Sequence, residues 1–280
     1  MLRPLIGMSF VFAIFGMLLM ALRRYQRRCE PHPEIVRKLM HLGMGLVTLS
    51  LPWLFAEAWP VLALAALVIT LLIALRVSHR LRQALGRVLC GVERRSLGEI
   101  YFAASAAILF ALAKDDVILF CVPMLILTLA DAAGALIGLR YGKRRYRTPD
   151  GEKSLEGSIT FFVVAFLSAH VPLLLTTDVG RVESLLIAAT LGLLLTLVEA
   201  MAWRGLDNLF IPLGGFVLLS SLLMMDTEAL TKSLAVTALL VGATAAMKFR
   251  PALPKPVLTQ SRRAEIHADE GGKDDAACAY

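Results

Sequence analysis

Cysteine is scarce in this sequence, and its scarcity removes whole classes of function. The four cysteines, Cys29, Cys90, Cys121 and Cys278, show neither the paired spacing of a metal site nor the pattern of a disulfide framework. Cys278 is followed only by Ala279 and Tyr280, one residue short of a prenylation box. A signal-peptide cleavage site is also missing. The apolar run from Leu5 to Leu22 has only Arg3 before it and ends in Arg23-Arg24, which predicts a retained first helix. No nucleic-acid motif is present, although the net charge is +7. Strict polar–apolar alternation is lacking as well, which argues against a membrane β-barrel. Once the apolar blocks are set aside, no soluble catalytic domain remains.

What the chain has in excess is hydrocarbon. Hydrophobic residues make up 58% of the 280, against about 45–50% in a soluble domain. They fall in blocks near the length of a bilayer crossing rather than in amphipathic stripes. Nine such segments lie near residues 4–22, 39–56, 58–76, 97–113, 117–139, 158–176, 183–202, 209–225 and 229–248. The fold class expected is therefore all-α, a polytopic transmembrane bundle of about nine helices within residues 1–250. The polar, proline-containing stretch 251–280 reads as a disordered cytoplasmic tail.

The basic residues orient the bundle. Loops 23–38, 76–96 and 140–157 and the tail from Lys248 hold six Lys or Arg each, and 203–208 holds one. The opposite side holds Arg3, Lys114, Arg181 and Lys232. The positive-inside rule then predicts an outside N-terminus and a cytoplasmic tail. On this reading Cys29, Cys90 and Cys278 are cytoplasmic and reduced, and Cys121 lies in an apolar segment. The arginines of 23–28 and 76–95 read as topology determinants that meet anionic lipid headgroups.

One stretch stands out, Asp131 to Ser158. Asp131 sits inside an apolar helix, where a carboxylate costs about 2.5–3.5 kcal/mol on insertion scales. Gly134, Gly138 and Gly142 follow on the same helix face. They would serve either close helix packing or the approach of a phosphate to the backbone. Asp131 would serve either a buried ion pair or Mg2+, which takes one or two carboxylates with water and substrate phosphates. The basic loop beyond carries Arg140, Lys143, Arg144, Arg145, Arg147 and Lys153, with a turn at Pro149-Asp150-Gly151. Ser154, Gly157 and Ser158 open the sixth apolar helix, whose N-terminus suits an anion. Glu156 is another carboxylate at the start of a membrane helix.

Asp131-Ala-Ala-Gly-Ala-Leu-Ile-Gly-Leu-Arg-Tyr-Gly-Lys143 followed by Lys153-Ser-Leu-Glu-Gly-Ser158 resembles the signature of the dolichol kinase and phytol kinase family. That family includes CTP-dependent diacylglycerol kinases and phosphorylates lipid alcohols with CTP. The pattern is also similar to the nucleotide site of phosphatidate cytidylyltransferases. Three further elements resemble the kinase branch: Glu34-Ile-Val-Arg37-Lys38-Leu-Met-His41, Ser96-Leu-Gly98-Glu99, and Glu199 with Leu206-Asp207-Asn208-Leu-Phe-Ile-Pro212. The long C-terminal signature of the cytidylyltransferases is absent. The resemblance covers roughly residues 34–215.

The resemblance implies an enzyme that transfers a phosphoryl group from CTP to a polyprenol, phytol or diacylglycerol type of alcohol, with Mg2+, at the cytoplasmic face. The compact basic loop suits a bacterial inner-membrane protein. Asp131, Lys153, Glu156 and Glu199 are the expected catalytic residues, with Asp131, Glu156 and Asp207 on Mg2+. Gly138, Arg140, Gly142, Lys143, Ser154, Gly157 and Asn208 would hold the nucleotide. Arg37, Lys38, His41 and Glu99 would meet the lipid alcohol, with Arg37 and His41 one helical turn apart. Glu199 would either orient a basic residue or accept the hydroxyl proton. Two readings stay open beside this one: a CTP:phosphatidate cytidylyltransferase on the same nucleotide site, and a membrane transporter with intramembrane carboxylates.

Overall fold

A backbone in hydrocarbon finds no water for its N–H and C=O groups, and a helix satisfies them within one segment. The computed structural model describes residues 2–77, 97–113, 116–148 and 151–248, and each of the nine apolar segments is helical there. Helix α1 (Leu2–Cys29) leads to α2 (Pro33–Leu49), a one-turn α3 (Leu51–Leu54), α4 (Ala58–Val77) and α5 (Gly98–Ala113). Helix α6 (Val117–Leu125) runs through a π-helical turn (Ile126–Ala130) into α7 (Asp131–Tyr141). A hairpin of β1 (Arg145–Thr148) and β2 (Gly151–Ser154) precedes α8 (Leu155–Thr176), α9 (Arg181–Met201), α10 (Asp207–Leu222) and α11 (Thr227–Lys248).

Five helices, Pro4–Cys29, Val117–Tyr141, Leu155–Thr176, Arg181–Met201 and Thr227–Met247, are long and apolar enough to cross a membrane. Ala58–Ala74, Gly98–Ala113 and Asp207–Leu222 are shorter apolar helices. The α6–α7 rod lies at the centre, where Phe120, Met124 and Leu127 pack with Leu109 of α5 and Leu191 of α9, all fully buried. Large apolar side chains also point outward, among them Leu67, Val163 and Leu239. Apolar residues inside and outside together describe a bundle solvated by lipid.

The structure corrects three expectations. The second apolar segment begins at Pro33 rather than near 39, because proline suits the first helical turn and the His32 ring accepts the Glu34 N–H at 3.2 Å. The same segment breaks at Ser50, since Pro52 sits in the first turn of a new helix, α3. The bundle is also not wholly α: loop 140–157 folds into an antiparallel hairpin that pairs Arg145 with Ser154 and Tyr146 with Lys153. Tyr146 explains why. Its ring is buried and its hydroxyl meets Ser158 Oγ at 2.7 Å, which anchors the hairpin on the start of α8. Several sequence features lie outside the described residues: Ser96, Cys90, Cys278, Lys114, Pro149 and Asp150 of the turn, most of loop 76–96, and the tail 251–280.

The C-terminal ends of α1, α4, α7 and α9 and the N-terminal ends of α2, α5, α8 and α10 meet at one end of the bundle. Gln26, Arg76, Glu199, Glu34, Gly98 and Asp207 from six of these ends line a single cavity. Among the described residues, the basic stretches 23–38, 140–157 and 203–208 therefore lie at one end.

Candidate active site

The cavity at this end encloses about 1740 Å3. Its upper part is polar and its lower part apolar. Two lysines enter the polar part, Lys38 from α2 and Lys153 from β2, and each meets a carboxylate carried by an apolar helix.

The deeper pair joins α2 to α7. The α2 sequence turns Lys38 and His41 inward, while Arg37 faces outward enough to bond Glu34 at 2.5 Å. Lys38 Nζ donates to both Asp131 oxygens at 2.7 Å, with lysine and carboxylate both buried. His41 Nε2 lies 3.3 Å from Asp131 Oδ2 and 3.0 Å from the Leu127 carbonyl oxygen. Phe102 of α5 packs edge-on against the same imidazole, with ring centroids 5.3 Å apart. The π-helical turn stands directly before Asp131, a position where such turns recur at functional sites. Asp131 thus takes the ion-pair alternative that its sequence context left open, with Lys38 as the partner.

The second pair lies at the rim. Lys153 Nζ donates to Glu199 Oε1 at 2.6 Å and also to the Glu199 carbonyl. Burial pulls the Lys153 pKa down, but the Glu199 carboxylate outweighs it, and the value ends above the ordinary lysine range. Lys153 is thus a firm cation. Glu199 thus meets a basic residue, the contact that the first of its two expected functions requires.

Asp207 and Asn208 complete the rim from the start of α10. Asn208 is a brace: its Nδ2 donates to the Gly98 carbonyl at 3.1 Å, and its own carbonyl accepts from Ser105 Oγ at 2.7 Å. Its Oδ1 is buried without a hydrogen-bond partner. Asp207 Oδ1 accepts from the Asn208 N–H at 3.1 Å, and the carboxylate forms no ion pair among the described residues. Glu99 also lines the cavity and meets Arg76 at 3.3 Å.

The glycines are consumed by packing. A Cβ on Gly134 would lie 3.0 Å from the Gly157 carbonyl oxygen, and one on Gly157 would lie 2.8 Å from that of Gly134. One on Gly138 would meet Ser154 Oγ at 2.9 Å. Ser154 itself caps α8 by accepting the Gly157 N–H at 3.1 Å. Gly138, Ser154 and Gly157 nevertheless line the cavity. Arg140, Gly142, Lys143 and Glu156 do not. Glu156 instead accepts the backbone N–H groups of Lys143 at 3.1 Å and Arg144 at 3.3 Å, which fastens the hairpin's entry to α8.

The structure thus gathers Arg37, Lys38, His41, Glu99, Asp131, Gly138, Lys153, Ser154, Gly157, Glu199, Asp207 and Asn208, twelve of the sixteen expected residues, in one place. The two ion pairs themselves escaped sequence reasoning, since their partners are 93 and 46 residues apart. A charge argument would have found them. Each intramembrane carboxylate requires a cation, and Lys38 in the second turn of α2 and Lys153 just before α8 both stand where an apolar segment begins.

No group of three or more metal-ligating side chains occurs among the described residues. Mg2+ does not need one, because one or two carboxylates suffice when phosphates and water fill its shell. Asp207, free of any ion pair, fits that demand. Asp131 and Glu156 would first have to leave their present partners.

No family model matches the chain, and no solved structure matches it. A phytol kinase of Synechocystis sp. is 32% identical over 185 residues, 65% of this chain and 76% of that protein. The chain belongs to the lipid-alcohol kinase family. Membership places it among the membrane kinases rather than the transporters, and it agrees with a cavity that joins charged groups to an apolar chamber.

Proposed function

We propose that this protein uses CTP and Mg2+ to phosphorylate the hydroxyl of a membrane lipid alcohol at the cytoplasmic face. The observation that carries the reading is the two-part cavity, with paired lysines and carboxylates above and hydrocarbon-lined space below. An amphipathic alcohol needs both parts at once. Its relative's name supports phytol or a related isoprenoid as acceptor.

Phosphoryl transfer asks the protein mainly for position and charge. Lys153, held in place by Glu199, presents a fixed cation to the nucleotide phosphates at the rim. Asp207 would hold Mg2+, which when bound neutralises charge on the transferring phosphoryl group. Lys38 and His41 fix the Asp131 carboxylate at the junction of the polar and apolar parts. An alcohol lying in the lower chamber brings its hydroxyl there, and on this reading Asp131 accepts the proton. Arg37 and Glu99 stand where they would meet the alcohol's polar end.

The test is direct. Purified protein is incubated with γ-labelled CTP, Mg2+ and a panel of phytol, geranylgeraniol, a polyprenol and diacylglycerol. Label is expected on an alcohol, with CDP released, and Asp131→Asn is expected to abolish it. Pyrophosphate and a CDP-lipid instead would establish the cytidylyltransferase. No transfer and no CTP binding would remove the nucleotide reading altogether.

A further inference from the structure

The apolar part of the cavity has a shape that the phosphoryl chemistry does not explain. Four helices wall it: α1 with Phe15 and Leu19, α2 with Met44, α4 with Val68 and α5 with Phe102 and Ala106. Along α4 the lining runs from Val61 to Arg76, about 22 Å at 1.5 Å per helical residue. Its polar mouth carries Lys38, Asp131 and Lys153. Its far end is lined by Val11, Leu51 and Val61, all buried. Beneath Val11 the floor is sealed again, because the buried Phe55 ring presses on α1 so closely that a Cβ on Gly7 would lie 2.9 Å from it. A chamber of this depth with one charged mouth and one closed apolar end measures length.

We propose that the hydrocarbon chain of the alcohol lies full length in the chamber between α1, α2, α4 and α5, and that Val61 sets the longest chain accepted. This inference rests on the lipid-alcohol reading and adds to it the position of the chain and the residues that select it. The physical basis is simple. A tail that fits is transferred from lipid to a matching wall at little cost. A tail too long for the floor must fold back or force the wall apart, and overpacking a tight apolar wall is unfavourable. Selection of this kind acts on chain length and leaves the charged mouth untouched.

Chain-length profiles test it. Transfer is measured to geraniol, farnesol, geranylgeraniol and phytol, as a ratio between the longest and shortest acceptor. Val61→Phe raises the floor and is expected to lower that ratio at least about tenfold, within the range an apolar pocket achieves for small changes in fit. Val61→Ala deepens the chamber and is expected to move the ratio the other way. Val236→Phe, on the exposed face of α11, is the control and leaves the profile unchanged. A second measurement does not require catalysis: geranylgeraniol with a diazirine at its tail end is photolysed on the intact protein. Label is expected in α4 near Val61 and in the buried residues Val11 and Leu51 at the same end. Both Val61 variants changing all four alcohols in equal proportion, or label falling on outward faces such as α11, overturns the chamber. Transfer to none of the alcohols despite labelling near Val61 would instead count against the kinase reading and leave the chamber standing.

Discussion

At the residue scale, Lys38 and Asp131 illustrate how charge is held in hydrocarbon. Neither group is affordable alone, and together they satisfy each other through two short hydrogen bonds. Removing one partner strands the other, a loss of about 3–5 kcal/mol for a buried pair. Lys38→Met should therefore lower the thermal stability of the detergent-solubilised protein sharply. Adding Asp131→Leu in the same chain should restore most of it. A single variant as stable as the unaltered protein would mean that the pair is not desolvated. Asp207 behaves differently, because its carboxylate forms no direct ion pair among the described residues. Asp207→Asn should leave folding intact and raise the Mg2+ concentration for half-maximal transfer at least about tenfold. An unchanged Mg2+ requirement would take Asp207 out of the metal site.

At the element scale, the decisive contact is between α7 and α8. Gly134 and Gly157 bring the two helices so near that each helix's carbonyl occupies space a side chain would fill. This approach places Ser154 and Lys153 over the cavity and lets Tyr146 anchor the hairpin. Gly157→Ala should cost about 1–3 kcal/mol by forcing the helices apart, and transfer should fall with it. Gly214→Ala on α10, where nothing lies within 4 Å, should change neither. Differential scanning fluorimetry and the transfer assay together separate the two cases. The packing role of these glycines could not be read from their spacing, since a phosphate-approach role predicts the same spacing. The π-helical turn at Ile126–Ala130 left no pattern in the sequence either.

At the scale of the whole molecule, the distribution of charge makes a prediction about orientation. Cys29 is exposed at the end of α1 that borders the site, whereas Cys121 is buried. In a chain carrying Cys90→Ser and Cys278→Ser, a membrane-impermeant maleimide should label Cys29 in inverted vesicles or after permeabilisation. It should not label sealed right-side-out vesicles. Labelling of the sealed vesicles would reverse the proposed membrane face and place the site outside.

The linear chain by itself determined the helical class and where the apolar segments fall, because those depend on local properties. An apolar run of bilayer length has only one backbone solution, and a carboxylate inside it is conspicuous wherever it points. It also predicts that the basic loops share one side, since each is placed by the parity of the crossings before it. Tertiary structure alone decided which cation meets which carboxylate. That choice requires α2 to cross α7 and β2 to reach the end of α9, contacts made between residues far apart in sequence. It also decided that Glu156 fastens a hairpin while Asp207 forms no ion pair among the described residues. The depth of the apolar chamber belongs to the same class, because a cavity is the space left between four helices and is written in none of them singly.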